Sequence, residues 1–274
     1  SFSSDLTILD LGSQEWSLSH MQALLHWMKP TLKRIQMLKL ANASLSLDAL
    51  RLLIQFFQDH TINIDSIDFG AMQMSLPRVD LLATLVSSPS MKVKKIDFGH
   101  SRWSMSHMKS FLWSVTKLGY NIQRVALSSI ECPAVGVDLL VKHMVCLSSD
   151  LRVLSAGITP LSDSSHTLIL QALLLDQTKL KACVFSYQCF SSANTKLLWQ
   201  VIRQSTSLER LALMQCQWYH DCVEVMRTCD LSIAKLYVEH SFASCYKSVT
   251  SVLEFAGYAV DKQTNDGKKV WFVK

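Results

Sequence analysis

The sequence predicts an α/β solenoid in which short parallel strands, each followed by a helix, stack in register along the chain. Three observations carry that reading. First, the sequence repeats itself. Leu9-Asp10-Leu11-Gly12 matches Ile96-Asp97-Phe98-Gly99, Trp16-Ser17-Leu18-Ser19-His20-Met21 matches Trp103-Ser104-Met105-Ser106-His107-Met108, and Ile67-Asp68-Phe69-Gly70 echoes the first block. The step from Ile67 to Ile96 is 29 residues, and the step from Trp16 to Trp103 is three times as long. A fixed period of this size signals stacked supersecondary units. Second, each unit opens with apolar residues at positions one, four and six, an alternation that buries one face of a short strand. Third, each unit then changes to apolar spacing of i, i+3, i+4, i+7, the stripe of an amphipathic helix.

In chain order the units begin at Leu6, Ile35, Ile64, Val93, Ile122, Leu151, Leu180, Leu208 and Ile233, and read LTILDL, IQMLKL, IDSIDF, VKKIDF, IQRVAL, LRVLSA, LKACVF, LERLAL and IAKLYV. This LxxLxL pattern resembles the leucine-rich repeat family, and its period resembles the ribonuclease-inhibitor-like subclass. The resemblance implies a horseshoe, with parallel strands on the concave face and helices on the convex face. It spans residues 6–257, so the repeats are assigned to 1–257 and a C-terminal capping hairpin to 258–274. Right-handed crossovers through the helices follow from strand handedness alone.

Position eleven is apolar in every unit: Trp16, Leu45, Met74, Trp103, Cys132, Leu161, Phe190, Trp218 and Ala243. The tryptophans there read as core rather than as a binding surface. Helical stripes follow at Met21, Leu24, Leu25 and Met28, at Leu50, Leu53, Ile54 and Phe57, and at Met108, Phe111, Leu112 and Val115. Position nine departs from the family, which places Asn or Cys there to bond the turn. Here it holds Gln14, Ala43, Met72, Ser101, Ile130, Thr159, Gln188, Cys216 and Ser241, of which only Cys216 fits. An irregular turn is therefore expected. Pro133, Gly136 and Pro160 should alter how the fifth and sixth helices begin.

The two ends read differently. Residues 1–5 are too short to cover the first unit, so Leu9, Leu11 and Met21 are expected to form an open apolar edge, covered by an upstream domain or a partner. At the other end Tyr258–Asp261 and Lys268–Lys274 read as strands around the Asp266-Gly267 turn, with lysines on the last strand guarding a free edge.

Composition narrows the function. Apolar residues are 49% and charged residues 18%, against about 25% in typical proteins, which suits a continuous core. Net charge is +5 with both signs mixed, and no apolar run is long enough to span a membrane. No secretory signal opens the chain. The eight cysteines form no CxxC pair and several fall at apolar repeat positions, which suits reduced thiols in an intracellular, cytoplasmic or nuclear protein. Cys216, His220, Cys222, Cys229, His240 and Cys245 lack the paired short spacing of zinc ligands, so no metal or cofactor is expected. His20 and His107 read as exposed first-turn residues. No nucleophile, phosphate-loop or metalloprotease motif is present, so no enzyme is expected. The Asp-Phe-Gly triplets at 68–70 and 97–99 lie in repeat strands without the other kinase motifs.

What remains is protein recognition on the inner face, where positions three and five should point outward. The expected contact residues are Asp10, Lys39, Asp68, Lys95, Asp97, Arg124, Arg210, Lys235 and Tyr237, with Ala126, Ser155, Val184 and Ala212 as a small floor between them. Asp68 and Asp97 are expected to be exposed there. The resemblance suggests the ligand-reading part of an adaptor or sensor, as in NOD-like receptors and ubiquitin-ligase substrate receptors. A second reading is a cytoskeletal regulator of the tropomodulin-like kind. A third, and the weakest, is nucleic-acid sensing through the clusters Lys92-Lys94-Lys95 and Lys262-Lys268-Lys269-Lys274.

Overall fold

The computed structural model describes residues 5–28, 32–118, 122–147, 150–174, 179–214, 216, 235–239, 259–263 and 269–273, the last three segments through their backbone. The chain divides into two compact units, Ser1–Leu140 and Val141–Lys274.

The first unit contains β1 (Asp5–Asp10), β2 (Glu15–Trp16), α1 (Leu18–Met28), β3 (Arg34–Lys39), β4 (Ser44–Leu45), α2 (Leu47–Asp59), β5 (Asn63–Asp68), α3 (Leu76–Ser87), β6 (Lys95–Asp97), α4 (Met105–Leu118), β7 (Arg124–Ala126) and the start of α5 (Ala134–Leu147). Its main strands lie in the order β1-β3-β5-β6-β7, with every pair parallel. The register follows the sequence period. Leu9 lies beside Leu38, Leu38 beside Ile67, Ile67 beside Ile96, and Ile96 beside Val125. One slipped residue would turn every apolar side chain to the wrong face, and that penalty holds the register. A second, minor ladder at the strand-to-helix link pairs Glu15–Trp16 with Ser44–Leu45 and continues as bridges from Gln73 to Arg102 and from Arg102 to Glu131.

The second unit contains the rest of α5, then β8 (Val153–Ala156), α6 (Asp163–Leu174), β9 (Ala182–Ser186), α7 (Ser192–Gln204), β10 (Arg210–Met214), β11 (Lys235–Glu239), β12 (Ala259–Gln263) and β13 (Lys269–Val273). Strands β8, β9, β10 and β11 are parallel, with Leu154 beside Cys183, Cys183 beside Leu211, and Leu211 beside Leu236. The hairpin then joins in the order β11-β13-β12. Its second strand, not its first, lies against β11, and both contacts are antiparallel. This corrects the expectation that the last strand is a guarded free edge: β13 is paired on both sides, and its lysines protect no edge.

The core is built by positions four and six together with the helical stripes. Leu38, Leu40, Ile67, Phe69, Ile96, Phe98, Val125 and Leu127 are buried on the sheet, and Leu50, Leu53, Phe57, Met108, Phe111 and Val115 on the helices. Each large side chain removed from water contributes roughly 1.5–3 kcal/mol before chain entropy is counted. Trp103 belongs to this core. Its ring meets Phe98 and Phe111 edge-on at 5.4 and 5.5 Å, and its indole N–H donates to Ser101 Oγ at 2.7 Å. Trp16 is half-buried and donates to Leu11 O at 2.9 Å. Trp218 lies outside the described residues.

The open apolar edge expected at the first repeat is absent. Leu9, Leu11 and Met21 are buried, at 8%, 1% and 0% exposure. They point into the layer between the strands and helices, where the repeat's own helix and the next repeat cover them. The exposed apolar side chains of this repeat are Ile8, Leu18 and Trp27.

Two periodic devices close each unit. A serine precedes the helix at 17, 46, 75, 104, 162 and 191, with Pro133 in the fifth unit. Ser46 Oγ accepts from Ala49 N (3.2 Å), Ser104 Oγ from His107 N (3.1 Å) and Ser191 Oγ from Asn194 N (3.3 Å), each satisfying an otherwise orphaned first-turn amide. The other device is a left-handed residue after β1, β3, β5, β6, β7 and β9, though not after β8. Ser13, Asn42, Ala71, His100, Ser129 and Tyr187 all have φ between 57° and 59° except Ala71, at 52°. From that turn Asn42, Ala71 and His100 donate their N–H to the carbonyls of Gly70, Gly99 and Ser128 in the following unit.

Position nine explains how the turn forms without an Asn there. Ala43, Met72, Ser101, Ile130, Thr159, Gln188 and Cys216 are all buried there. Gln188 does the bonding in its unit: Nε2 donates to the carbonyls of Gly157 (2.6 Å), Thr159 (2.9 Å) and Ser186 (2.9 Å), while Oε1 accepts from Leu161 N (2.9 Å). Cys216 Sγ donates to Phe185 O at 3.4 Å. Ser101 Oγ donates to Phe98 O, Ala43, Met72 and Ile130 fill the slot with apolar side chains, and Gln14 in the first repeat is exposed.

Candidate functional site

In the first unit, rows four and six of the strands are buried, whereas rows three and five are exposed or half-buried except at Ser66, so one face of the sheet is left uncovered by the helices. Row three reads Ile8, Met37, Ser66, Lys95 and Arg124 from β1 to β7, and row five reads Asp10, Lys39, Asp68, Asp97 and Ala126. Six of the expected contact residues are thus brought onto one surface. Ile8 and Met37 are neighbours on it, exposed at 45% and 36%, and the sequence reading passed over both. Their signal was available: large apolar residues at a position assigned to solvent.

The aspartates have an internal task. Asp10 Oδ1 accepts the amide of Gly12 at 2.9 Å, Asp68 Oδ1 that of Gly70 at 2.8 Å, and Asp97 Oδ1 that of Gly99 at 2.8 Å. This is an Asx turn at the strand end. It explains the repeated Asp-x-Gly as turn chemistry, with the intervening Phe69 or Phe98 in the core. The glycine is needed because a Cβ on Gly99 would meet Asp97 Oδ1 at 3.0 Å and Ser128 O at 3.1 Å. Asp68 and Asp97 are therefore half-buried rather than exposed, and reversing their charge would break a turn as well as alter a surface. Burial pushes the Asp97 carboxyl above its ordinary value. The Gly99 amide opposes that shift, neighbouring Asp68 adds to it, and His100 and Arg124 pull it back.

The cations divide into two groups. Lys39 reaches Asp10 at 3.6 Å. Arg34 grips Asp65 through Nε (2.9 Å) and Nη2 (2.5 Å), which raises the guanidinium pKa, and Lys94 approaches the same carboxylate at 3.9 Å. Arg102 pairs with Glu131 at 2.5 Å. Lys95 and Arg124 are side by side across β6 and β7 and both are exposed. Among the described residues their charged groups make no ion pair or hydrogen bond.

In the second unit, row three reads Val153, Ala182 and Arg210, and row five reads Ser155, Val184 and Ala212. Arg210 is exposed, but Ala212 is buried at 2%, contrary to its expected place on an accessible floor. The backbone register sets Lys235 beside Arg210 and Tyr237 beside Ala212; their side chains lie outside the description.

His20 is exposed, and the Ser104 N–H donates to His107 Nδ1 at 3.3 Å in a first-turn arrangement. Among the described residues no group of three or more His, Cys, Asp or Glu is placed to hold a metal. Of the six residues weighed for zinc, all but Cys216 lie outside them. Burial raises the Cys183 and Cys216 thiols to about 12 and that of Cys132 to about 11. Among the described residues no helix is long and apolar enough to cross a membrane. No family model matches the chain, and no curated protein matches it.

Proposed function

We propose that the chain is a non-catalytic, leucine-rich-repeat-like recognition module that binds a protein partner on the open face of its sheet. The observation that carries the reading is the pair Lys95 and Arg124, two exposed cations side by side on the open face whose charged groups make no ion pair or hydrogen bond among the described residues, where Lys39 on the same face is matched to Asp10. Folding gains nothing from like charges set directly opposite each other, so a surface that keeps them suits association with something else. Ile8 and Met37 on the same rows add apolar contact area. An intracellular setting belongs to the same reading, supported by thiols at buried repeat positions such as Cys183. The larger protein on this view is an adaptor or sensor.

The test is affinity capture with three forms of the protein: the native sequence, K95E/R124E on the open face, and K109E/K117E on the exposed surface of α4. Proteins retained by the native form and by the α4 variant but lost from the open-face variant support the proposal. Loss from the α4 variant alone would move the binding surface to the helices. Co-sedimentation with purified actin examines the cytoskeletal reading directly.

A further inference from the structure

We infer, building on the recognition reading above, that the partner segment is a helix with an acidic and a basic side chain one turn apart, the acid over Lys95 and Arg124 and the base over Asp68 and Asp97. The surface carries two like-charged pairs back to back. Lys95 pairs with Arg124 across β6 and β7, and Asp68 pairs with Asp97 across β5 and β6. Each aspartate uses Oδ1 on its own turn, and among the described residues Oδ2 of neither takes a hydrogen bond. Lys39, which neighbours Asp68 in register, is drawn to Asp10 on the other side. Four formal charges are therefore left in two blocks of opposite sign.

The charges select the occupant, and the spacing admits a helix. Lys95 and Asp97 are two residues apart on one strand, a separation of roughly 6–7 Å. Residues i and i+4 of a helix rise about 6 Å along its axis, so a helix laid along β6 can set one charge over Lys95 and the other over Asp97, the members that the two blocks have on that strand. A polyanion such as nucleic acid would meet the aspartate pair as soon as it reached the cations, and a wholly basic segment would meet the reverse conflict. A mixed-charge helix satisfies both blocks at once and gains orientation from doing so.

The probes are three stapled, alanine-based helical peptides, identical except for one i,i+4 pair: Glu and Lys, Glu and Glu, or Lys and Lys. Each is titrated into the full chain, with backbone amide NMR shifts of Lys95, Asp97 and Arg124 as the readout. The mixed peptide is expected to shift these amides and to bind at least about tenfold more tightly than either single-sign peptide. K95E/R124E should abolish the shifts, and K95Q/R124Q should weaken them while keeping the native melting temperature. A single-sign peptide binding the same amides as tightly would overturn the mixed-charge inference and leave the open face as the recognition surface. Shifts confined to α1, α2, α3 and α4 would sink both. No response from any peptide up to about 1 mM overturns the inference, while the capture experiment still decides the recognition reading.

Discussion

Replacing Asp97 separates the two jobs of its carboxylate, one as acceptor for the Gly99 amide at 2.8 Å and the other as a charge beside Asp68. Asp97→Ala removes both and leaves the amide of buried Gly99 without its acceptor. An unsatisfied buried donor costs about 1–3 kcal/mol. The half-buried charge lost at the same time was itself unfavourable, so the net expectation is about 1–2 kcal/mol of destabilisation at pH 7. Asp97→Asn keeps an acceptor oxygen and discards only the charge, so stability should stay within about 0.5 kcal/mol of the native protein. The pH dependence has a definite sign. Burial raises the Asp97 pKa above 3.8 in the folded state, so the folded protein holds this proton more tightly than the unfolded chain. That contribution is fully present below 3.8 and is lost as pH rises through the raised value. The Asn variant lacks it, so it should gain on the native protein between acid and neutral pH. Urea unfolding of the three proteins at pH 4 and pH 7, followed by circular dichroism, measures all of this. If Asn costs as much as Ala at pH 7, the charge and not the acceptor supports the turn, and the reasoning fails.

Other substitutions test the remaining devices. Gln188→Ala strips partners from three carbonyls and one amide and should cost about 2–3 kcal/mol in thermal or urea unfolding, whereas a surface change such as Gln200→Ala should stay within about 0.5 kcal/mol. Ser46→Ala should cost about 1 kcal/mol by losing its bond to the Ala49 amide. Ser75→Ala is the internal control, since Ser75 makes no side-chain cap bond; equal losses at both sites would remove capping as the cause. Exposed Cys189 should react with a thiol reagent in the native protein, whereas buried Cys183 and Cys216, with thiols raised to about 12, should react only as the protein unfolds.

The comparison between sequence and structure is sharpest at position nine and at the ends. Missing Asn residues suggested an irregular turn. The backbone nonetheless adopts the same left-handed residue in six units, and in five of them the slot behind it is filled without Asn, by an apolar side chain, by Ser101 or by the amide of Gln188. At the N-terminal end, counting repeats suggested bare core residues at Leu9, Leu11 and Met21. Repeat counting ignores that a strand and its own helix already enclose them. At the C-terminal end the alternation in residues 258–274 marked two strands, but alternation says nothing about which of the two meets the last repeat, and the structure places β13 there.

The sequence by itself determined the period, the strand register and the buried rows, because each depends on apolar spacing within one unit and on equal spacing between units. Only the tertiary structure decided which polar residues are occupied and which are available. Asp10, Asp68 and Asp97 accept the amides of Gly12, Gly70 and Gly99, Lys39 goes to Asp10, and Arg34 and Lys94 go to Asp65, while Lys95 and Arg124 stand together without a direct ion pair among the described residues. That division arises between side chains brought together across neighbouring strands. Side-chain hydrogen bonds and ion pairs form over a few ångströms and in particular directions, which no one-dimensional pattern encodes.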